Sequence, residues 1–327
     1  MISFKGKIMR IYCLIIGIVL VIAGYSIADI GKQINPFEVE GNWYKANLHT
    51  HTNVSDGDVN VPTRIKQYRE LNYNVLAITD HEKVTDVSSY SDSNMLVLDG
   101  METHPASGGP GTRFHFVCIN VPAAFSRPKK MAAQQTIDAV KAAGGEVIYA
   151  HPYWSGHNID MITSVKGYIG IEVSNGTCGY KGISSVIWDD LLLAGYTIPA
   201  VAGDDLHKSE NIGKCWTMIK AKSLTREAIM NALRSGSYYA STGPIIEDFR
   251  IENGIIKLKC SPVMEIHLVG PAANFNDVYA KENKPLTSLE FKREKPERFW
   301  YVRAEIVDAN GKRAWTNPLI FEKPKKK

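Results

Sequence analysis

Short apolar runs alternate with amphipathic stretches along the chain from about Trp43 to Gly243. The apolar runs are predicted to be strands, and the stretches between them carry apolar residues at helical spacing. Strands that alternate with helices are typical of βα units, so the pattern predicts a parallel sheet or a barrel. The predicted strands are Val75–Ile78, Met95–Leu98, Phe114–Ile119, Val147–Ala150, Tyr168–Val173 and Thr197–Ala202.

Residues that favour helix starts and stops mark the predicted helices. Pro62 is a suitable first helical residue, and Ile65, Tyr68 and Leu71 follow it on one face. Glycine ends helices readily because it adopts the left-handed backbone conformation. The other predicted helices are Met131–Ala143, which stops at Gly144-Gly145, Ser184–Leu193, which ends near Gly195, and the stretch from the N-cap Thr225 to Gly236.

The pattern changes after Gly243 to alternation of apolar and polar residues with a period of two. Ile256, Leu258 and Cys260 alternate with lysines after an Asn253-Gly254 turn, which is typical of an antiparallel hairpin. The sequence therefore predicts a main domain over residues 40–244, a small antiparallel β domain over 245–323 and a basic tail over 324–327.

Residues 1–30 have the pattern of an export segment. Lys5, Lys7 and Arg10 precede the uncharged run Leu14–Gly24. A cleaved signal peptide and an uncleaved membrane anchor both fit this pattern, and the sequence leaves the choice open. Either interpretation predicts that the rest of the chain is extracytoplasmic, secreted or anchored by its N-terminal segment.

Composition excludes several classes of protein. The 327 residues are 44% hydrophobic and 22% charged, which argues against extensive disorder. The net charge of +4 is too small for a typical nucleic-acid-binding protein, so no nucleic-acid partner is predicted. The five cysteines form no C-x-x-C pair, which argues against a zinc ribbon. Whether four of them pair as disulfides is left open by the sequence.

Histidine and carboxylate side chains follow several predicted strands directly. In a barrel of βα units, functional residues lie at the carboxyl ends of the strands, so these side chains are expected to converge. Imidazole and carboxylate together are ligands for zinc, manganese or iron. The two imidazoles of an H-x-H pair on a strand lie on the same face because side chains repeat with a period of two. The residues are His49, His51, Asp80, His81, Glu102, His104, His151, Asp205 and His207.

Five short motifs in this region resemble, in order, those of the PHP family, named for polymerase and histidinol phosphatase. They are Asn47–Gly57 (NLHTHTNVSDG), Ile78–His81 (ITDH), Gly100–Glu102 (GME) with His115, Ala150–Pro152 (AHP) and Gly203–His207 (GDDLH). The later segments Ala240–Pro244 and Gly311–Pro318 resemble the CehA/McbA-like branch of that family. The resemblance covers nearly everything after Trp43.

The resemblance implies an α/β fold: a distorted seven-stranded (β/α) barrel of PHP type, followed by the small C-terminal antiparallel β domain. It also implies two or three divalent metal ions. One departure from the family pattern is Asp204, which stands where the family usually has serine. The implied ligands are His49, His51, Glu102 and Asp205 for the first metal, Glu102, His115 and His151 for the second, and Asp56, His81 and His207 for a third.

Further residues have weaker claims to a role. Arg113, His157 and Lys208 are predicted to bind the substrate, the two cations by neutralising a phosphate. His104 shares a strand face with Glu102, and Asp80 is predicted to orient His81 or the local turn. The role of Glu172 is left open. His267, in the β domain, is predicted to be structural.

The function implied is a metal-dependent phosphoesterase. It would hydrolyse a phosphomonoester or phosphodiester of a small molecule with a hydroxide held between two metals. Asp205 and His207 are the predicted catalytic residues, with Asp205 or a nearby histidine passing a proton to the leaving group. Two alternatives stay open: a metal-dependent hydrolase of an amide, ester or carbamate, and a non-catalytic binding module stabilised by metal. The sequence does not indicate the oligomeric state.

Overall fold

A computed structural model of the chain describes residues 34–106, 112–271, 276–282, 284–292 and 300–321. The predicted export segment, residues 1–30, and the basic tail, residues 324–327, lie outside the described residues. Within the described ranges, no helix has both the length and the apolar character needed to cross a membrane.

The main part of the chain alternates strands and helices, as predicted. Strands β2, β5 and β7 are buried at every position, which explains why β2 and β7 are continuously apolar and why β5 is apolar after Glu146. The elements are β1 (Asn42–Asn47), α1 (Val61–Glu70), β2 (Val75–Ile78), β3 (Leu96–Thr103), β4 (Phe116–Ile119), α2 (Ala133–Ala142), β5 (Glu146–Tyr149), α3 (Ile159–Thr163), β6 (Gly170–Asn175), α4 (Ser185–Leu193), β7 (Ala200–Gly203), β8 (Trp216–Ala221), α5 (Arg226–Arg234) and β9 (Tyr238–Ser241).

Helix ends follow the predicted signals closely. Helix α1 starts one residue before Pro62, and the Asn60 side chain accepts a hydrogen bond from the Thr63 amide. Thr225 caps α5 in the same way through the Ala228 amide. Gly144 follows α2 with a φ of 89°, a left-handed conformation that a helix-ending glycine adopts without strain.

The strands of the main part pair in the order β9-β8-β1-β2-β3-β4-β5-β6-β7. Strands β1, β2 and β3 are parallel to one another, and so are β5, β6 and β7. Strand β4 is antiparallel to both of its neighbours, β3 and β5. The prediction of an α/β fold with parallel strands is confirmed, but the parallel run is interrupted at β4.

The segments that follow β1 and β7 meet, although these two strands are not neighbours in this order. The Asp205 amide donates to the His49 carbonyl at 3.0 Å, and the His51 amide donates to the Leu206 carbonyl at 3.0 Å. Thr50 and Leu206 form an isolated parallel bridge at the same point. Main-chain bonds therefore bring the segment carrying Asp205 against the segment carrying the two histidines.

The C-terminal region is antiparallel, as predicted. Its hairpin turn has Asn253 and Gly254 at φ values of 51° and 77°, the conformation that an Asn-Gly hairpin requires. Three strands form a separate sheet in the order β10-β11-β14, and others extend the main sheet. The strands are β10 (Ile246–Glu252), β11 (Ile255–Val263), β12 (Glu265–Val269), β13 (Asn276–Tyr279), β14 (Leu286–Lys292), β15 (Tyr301–Val307), β16 (Arg313–Thr316) and β17 (Leu319–Ile320).

The two parts of the chain share one continuous sheet. Strand β16 pairs with β9, with Trp315 opposite Ala240, and the main sheet continues through β15, β12 and β13. The buried Arg303 of β15 forms two hydrogen bonds of 2.8 Å to the Asp189 carboxylate of α4. The predicted change of pattern after Gly243 thus lies between β9 of the main sheet and β10 of the separate sheet, and the chain returns to the main sheet in β12.

Candidate metal centre

The loops at one edge of the main sheet carry the predicted ligands. His49 and His51 follow β1, His81 follows β2, and Asp205 follows β7. Parallel strands end at the same edge of a sheet, so these side chains come together. Strand β4 runs in the opposite direction, so the residue just before it, His115, reaches the same edge.

Glu102 lies at the middle of the cluster and is almost completely buried. Its two carboxylate oxygens face two different sets of imidazoles. The Oε2 atom lies 3.0 Å from His81 Nδ1, 3.4 Å from His49 Nε2 and 3.5 Å from His51 Nε2. The Oε1 atom lies 2.9 Å from His115 Nδ1, 3.2 Å from His151 Nε2 and 3.5 Å from His104 Nε2. A carboxylate placed in this way can serve two cation sites at once.

Asp205 completes the first set of donors. Its Oδ1 atom lies 3.0 Å from His51 Nε2 and 3.2 Å from His49 Nε2. Its backbone has a φ of 51°, an uncommon value for a residue other than glycine. Backbone strain of this kind concentrates at functional sites, and here it accompanies the bond from the Asp205 amide to His49.

A third group of donors lies nearer the solvent. Asp56 Oδ2 is 3.2 Å from His81 Nε2 and 3.4 Å from His207 Nε2, and the Asp56 side chain is 50% exposed. The His51 Nδ1 atom lies 3.8 Å from Asp56 Oδ1. His51 therefore stands between this group and the buried one.

These residues fit divalent metal ions. Among the described residues, five sets of donor atoms lie close enough to share an ion, and three of these sets contain the ligands that the family resemblance implies. Several buried ring nitrogens, among them His49 Nε2, His51 Nδ1 and His81 Nδ1, make no hydrogen bond of good geometry with any described residue. Leaving a buried polar atom unpaired costs about 1–3 kcal/mol, which a metal bond would remove. Those three sets are His49, His51, Glu102 and Asp205; Glu102, His115 and His151; and His51, Asp56, His81 and His207. The other two are His49, His151 and Glu172, and His81, Glu102 and His104.

The charges favour the ionised, metal-binding form of the two central carboxylates. Burial opposes ionisation of Glu102, but the positive charge of His49 and bonds from other histidines hold its pKa well below the usual range. The pKa of Asp205 is lowered in the same way, against burial, by His49 and His51. Burial lowers the pKa of His51 and His115. Metal ligation requires ionised carboxylates and neutral imidazoles. The nearby carboxylates raise the pKa of His49, His81 and His151 against burial, so a bound metal would displace protons from these rings.

Glu172 and Asn175 hold the ligands in place. Glu172 Oε1 accepts a bond of 2.8 Å from His49 Nδ1, which leaves the His49 Nε2 lone pair directed at Glu102 and Asp205. Asn175 Nδ2 bonds Glu172 Oε2 at 3.0 Å and Asp205 Oδ2 at 3.2 Å. The sequence left the role of Glu172 open and did not indicate Asn175. Asn175 is the last residue of β6, just as the proposed ligands lie at the ends of their strands. This position is the feature of the sequence that could have indicated it.

The Asp80 carboxylate organises a turn. No described hydrogen bond joins this carboxylate to His81. Its carboxylate accepts bonds of 2.8 Å from the Thr52 amide, the Thr52 hydroxyl and the Ser55 hydroxyl. Asp80 was predicted to orient either His81 or the local turn. The structure shows that it orients the local turn, and this turn carries Asp56.

His104 lies outside the donor sets of the predicted metals and is hydrogen-bonded to a second carboxylate, that of Glu82. The His104 amide donates to Glu82 Oε1 at 2.8 Å, and Arg127 Nη2 donates to Glu82 Oε2 at 2.8 Å. Although burial opposes it, hydrogen bonds and charge from Glu102 and Glu82 raise the pKa of His104 to about 9. His104 is therefore held at the edge of the centre as a cation.

A cavity of about 420 Å³ opens above these residues. Of the residues predicted to bind substrate, Arg113 lines the cavity, whereas Lys208 and His157 do not. Lys208 is exposed elsewhere, and His157 is buried with its Nδ1 atom 2.6 Å from the Tyr149 hydroxyl. The sequence did not indicate Trp154, Thr177 and Cys178, which line the cavity from the loops after β5 and β6.

Two other predicted residues lie away from the centre. Asp204 is buried, and its carboxylate accepts a bond of 2.9 Å from the Tyr68 hydroxyl. His267 lies on β12 between the carboxylates of Glu265 and Asp277. The described cysteines Cys118, Cys178, Cys215 and Cys260 are all free thiols.

Comparison with known proteins relates this geometry to other chains. A family model described as PHP-associated matches residues 192–238. A search of curated proteins gave no match. A two-domain protein from Bacteroides vulgatus, containing a predicted PHP-like metal-dependent phosphoesterase, is similar in structure, with a TM-score of 0.52 and 16% identity over 88% of this chain and 100% of that one.

Two other solved structures show weaker similarity over 58% of this chain. An amidohydrolase from Chromobacterium violaceum, with bound sulfate and no metal, has a TM-score of 0.44 and 16% identity over 96% of its chain. PsfC from Pseudomonas syringae has a TM-score of 0.45 and 14% identity over 87% of its chain.

At 16% identity, similarity to the Bacteroides protein shows a common fold and says nothing of activity. The match to the PHP-associated model is a separate finding, made on the sequence from the end of α4 to the start of β9. Assignment to the CehA/McbA-like branch stays a prediction. The chain thus matches a PHP-associated family model over residues 192–238 and shares a common fold with the Bacteroides protein.

Proposed function

We propose that the chain is a metal-dependent phosphoesterase that hydrolyses a phosphomonoester or a phosphodiester. One observation carries the proposal: the two oxygens of the buried Glu102 face separate sets of imidazoles at the base of an open cavity. Two cation sites that share a carboxylate suit in-line displacement at phosphorus. The broader assignment, a metal-dependent hydrolase of unspecified bond type, is supported by the cluster and the fold alone.

The donor sets that hold the metals would be those built around Glu102 and Asp205, with a third built on Asp56. Zinc, manganese and iron all suit imidazole and carboxylate ligands. When bound, the ions would lower the pKa of water and neutralise the phosphoryl oxygens.

The chain's own residues would position the reacting atoms. Arg113 lines the cavity, and its guanidinium suits bidentate binding of a phosphate. His207 Nδ1 donates to the Asp205 carbonyl at 2.8 Å, so its Nε2 lone pair faces the Asp56 side of the centre. The Asp205 Oδ2 atom, which bonds Asn175, would take a proton from the attacking water as the new oxygen–phosphorus bond forms. The same proton would pass to the leaving oxygen as its bond to phosphorus breaks.

A Glu102→Gln substitution tests the proposal. The substitution keeps the shape of the side chain but removes the charge that both donor sets share, so kcat/KM for an aryl phosphate should fall at least about 100-fold. Metal content should fall in the same sample. Glu290→Gln is the matched control, because Glu290 is an exposed carboxylate on β14, and its activity should equal that of the unaltered chain.

Parallel assays with an aryl phosphate, an aryl phosphodiester and an aryl ester decide the bond type. Turnover of the ester alone would replace the phosphoesterase with the alternative hydrolase. A metal-loaded chain without turnover on any of the three would favour a binding module. Full activity of Glu102→Gln in a metal-checked sample would contradict the proposal.

We also propose that the protein works outside the cytoplasm on a small phosphorylated molecule, without a nucleic-acid partner. The basic and then apolar pattern of residues 5–24 supports this location. Fractionation of cells that express the full chain should recover it in the secreted or membrane fraction. Recovery in the cytoplasmic fraction alone would contradict this location.

A further inference from the structure

Exposed aromatic side chains gather in the two loops on one side of the cavity. Tyr153 and Trp154 belong to the loop after β5 and are 41% and 48% exposed. Tyr180 belongs to the loop after β6 and is 85% exposed. We call these three residues, together with Lys181, the aromatic rim.

Trp154 joins the aromatic rim to the metal centre. It lines the cavity, and its ring centroid lies 5.1 Å from that of His151 and 5.6 Å from that of His115. Both contacts are edge-on, with interplanar angles of 81° and 79°. The indole therefore lies edge-on to two of the proposed ligands, with about half of its surface exposed to solvent.

The turn that carries Trp154 is held by main-chain hydrogen bonds. The Ser155 amide donates to the His151 carbonyl at 3.1 Å, and the Gly156 amide donates to the Tyr153 carbonyl at 3.1 Å. Gly156 has a φ of 70°, which closes the turn and would strain any side chain with a Cβ. The backbone of Trp154 is thus held in place relative to the proposed ligand His151.

The second loop lies against the first. The Tyr153 amide donates to the Ser184 hydroxyl at 3.4 Å, and Lys181 Nζ lies 5.7 Å from the Tyr153 ring and 6.0 Å from the Tyr180 ring. Residues Thr177 and Cys178 of this loop line the cavity. The aromatic rim therefore continues the wall of the cavity outward from the metal centre.

We propose that the aromatic rim binds an aromatic ring carried by the leaving group of the substrate, with Trp154 as the main contact. This inference rests on the proposed phosphoesterase function and names its substrate class: phosphoesters of alcohols that bear an aromatic ring. Ligand sites combine a few polar groups with apolar and aromatic walls, and here Arg113 and the centre supply the polar part. A half-exposed indole gains from stacking on a planar ring, and that gain is lost with a flexible alkyl chain.

The test compares three alkyl phosphates whose leaving oxygens are chemically alike. They are 2-phenylethyl phosphate, 2-cyclohexylethyl phosphate and butyl phosphate, assayed with the metal-loaded full chain. The phenyl compound should have the highest kcat/KM, about fivefold above that of the cyclohexyl compound. Equal values for the phenyl and cyclohexyl compounds would overturn the aromatic preference.

Trp154→Ala should abolish the preference, so that kcat/KM for the phenyl and cyclohexyl compounds becomes equal. Trp154→Phe should keep part of it. Tyr279→Ala is the matched control, since Tyr279 is an exposed aromatic residue on β13, outside the cavity lining, and its preference should be that of the unaltered chain. Equal losses on all three substrates in Trp154→Ala would assign Trp154 to positioning His115 and His151 and overturn the inference.

Calorimetric binding of the matching phosphonates, which are not hydrolysed, gives a second readout. Ring-selective binding that depends on Trp154 in a chain without phosphatase turnover would reject the proposed function and retain the ring site. Turnover without ring selectivity in either assay would retain the proposed function and reject the ring site. Absence of both turnover and binding would reject both.

Discussion

Glu172 shows how one residue outside the proposed donor sets can control the centre. It bonds His49 Nδ1 at 2.8 Å and the His151 amide at 2.9 Å, and so orients two ligands at once. Glu172→Ala should weaken metal binding by about 10- to 100-fold, because His49 loses the partner that fixes its tautomer.

Titration against a competing chelator measures this metal affinity directly. Glu290→Ala removes an exposed carboxylate of the same kind and should leave the affinity unchanged. An unaltered affinity in Glu172→Ala would contradict the orienting role of Glu172.

His157 gives a prediction for pH. Burial and the nearby charge of His115 lower the pKa of His157 to about 4, from an ordinary value of 6.5. The unfolded chain therefore binds this proton first, and the stability that His157 contributes above about pH 6.5 is lost as the pH falls towards about 4.

Urea unfolding at pH 7.5 and pH 4.5 measures the effect. In His157→Gln, which can still accept the Tyr149 hydroxyl bond, the loss of unfolding free energy between the two pH values should be smaller than in the unaltered chain. The other histidines are common to both proteins, so the difference reports His157. Equal losses would contradict its titration as a buried neutral group.

At the residue scale, the sequence predicts the ligands better than their surroundings. The period of two places His49 and His51 on one face, and the structure brings both beside Glu102. Contacts between loops have no such period. For that reason Trp154 was not indicated, and His157 was expected at the substrate but is buried against Tyr149.

At the element scale, strand direction decides which residues reach the centre. The sequence predicts β4 from its apolar run but not its direction, because buried parallel and antiparallel strands have the same composition. Since β4 is antiparallel, His115 reaches the cluster from its amino end and not from its carboxyl end. The family resemblance identified His115 where the strand-end rule would have missed it.

The connection from β7 to β8 is anchored by Asp204. Its carboxylate accepts bonds of 2.7–2.9 Å from the Gly213, Lys214 and Cys215 amides and from the Tyr68 hydroxyl. The carboxylate that departs from the family's usual serine thus fixes the segment that presents Asp205 and His207, and it lies outside the metal groups.

Asp204→Ala should lower the free energy of unfolding by about 2–4 kcal/mol, because it leaves three backbone amides and a hydroxyl without their acceptor. Asp204→Asn keeps one acceptor oxygen and should cost less. Urea unfolding of both variants measures the order. A loss below about 0.5 kcal/mol for the alanine variant would contradict the anchoring role.

At the scale of the whole molecule, the continuous sheet predicts that the chain unfolds as one unit. Strand β16 pairs with β9, and the buried Arg303 links β15 to Asp189 of α4. Far-ultraviolet circular dichroism and tryptophan fluorescence should therefore give coincident unfolding transitions. Two separate transitions would show that the β region folds independently of the rest.

The sequence located the change from βα pattern to hairpins but not the pairing of β9 with β16. Alternation specifies which face of a strand is buried and leaves its neighbour unspecified. In the sequence, Arg303 is an ordinary charged residue within an alternating strand. Only the fold shows that its partner is Asp189 on α4.

The central claim is that the His, Asp and Glu cluster holds catalytic metal ions. Elemental analysis of the full chain, purified without chelator, tests it most directly when an aryl phosphate assay is run on the same sample. We expect about two or three transition-metal ions per chain, with turnover that a chelator abolishes and added metal restores. A chain without bound metal, or one whose turnover is unchanged after the metal is removed, would contradict the claim.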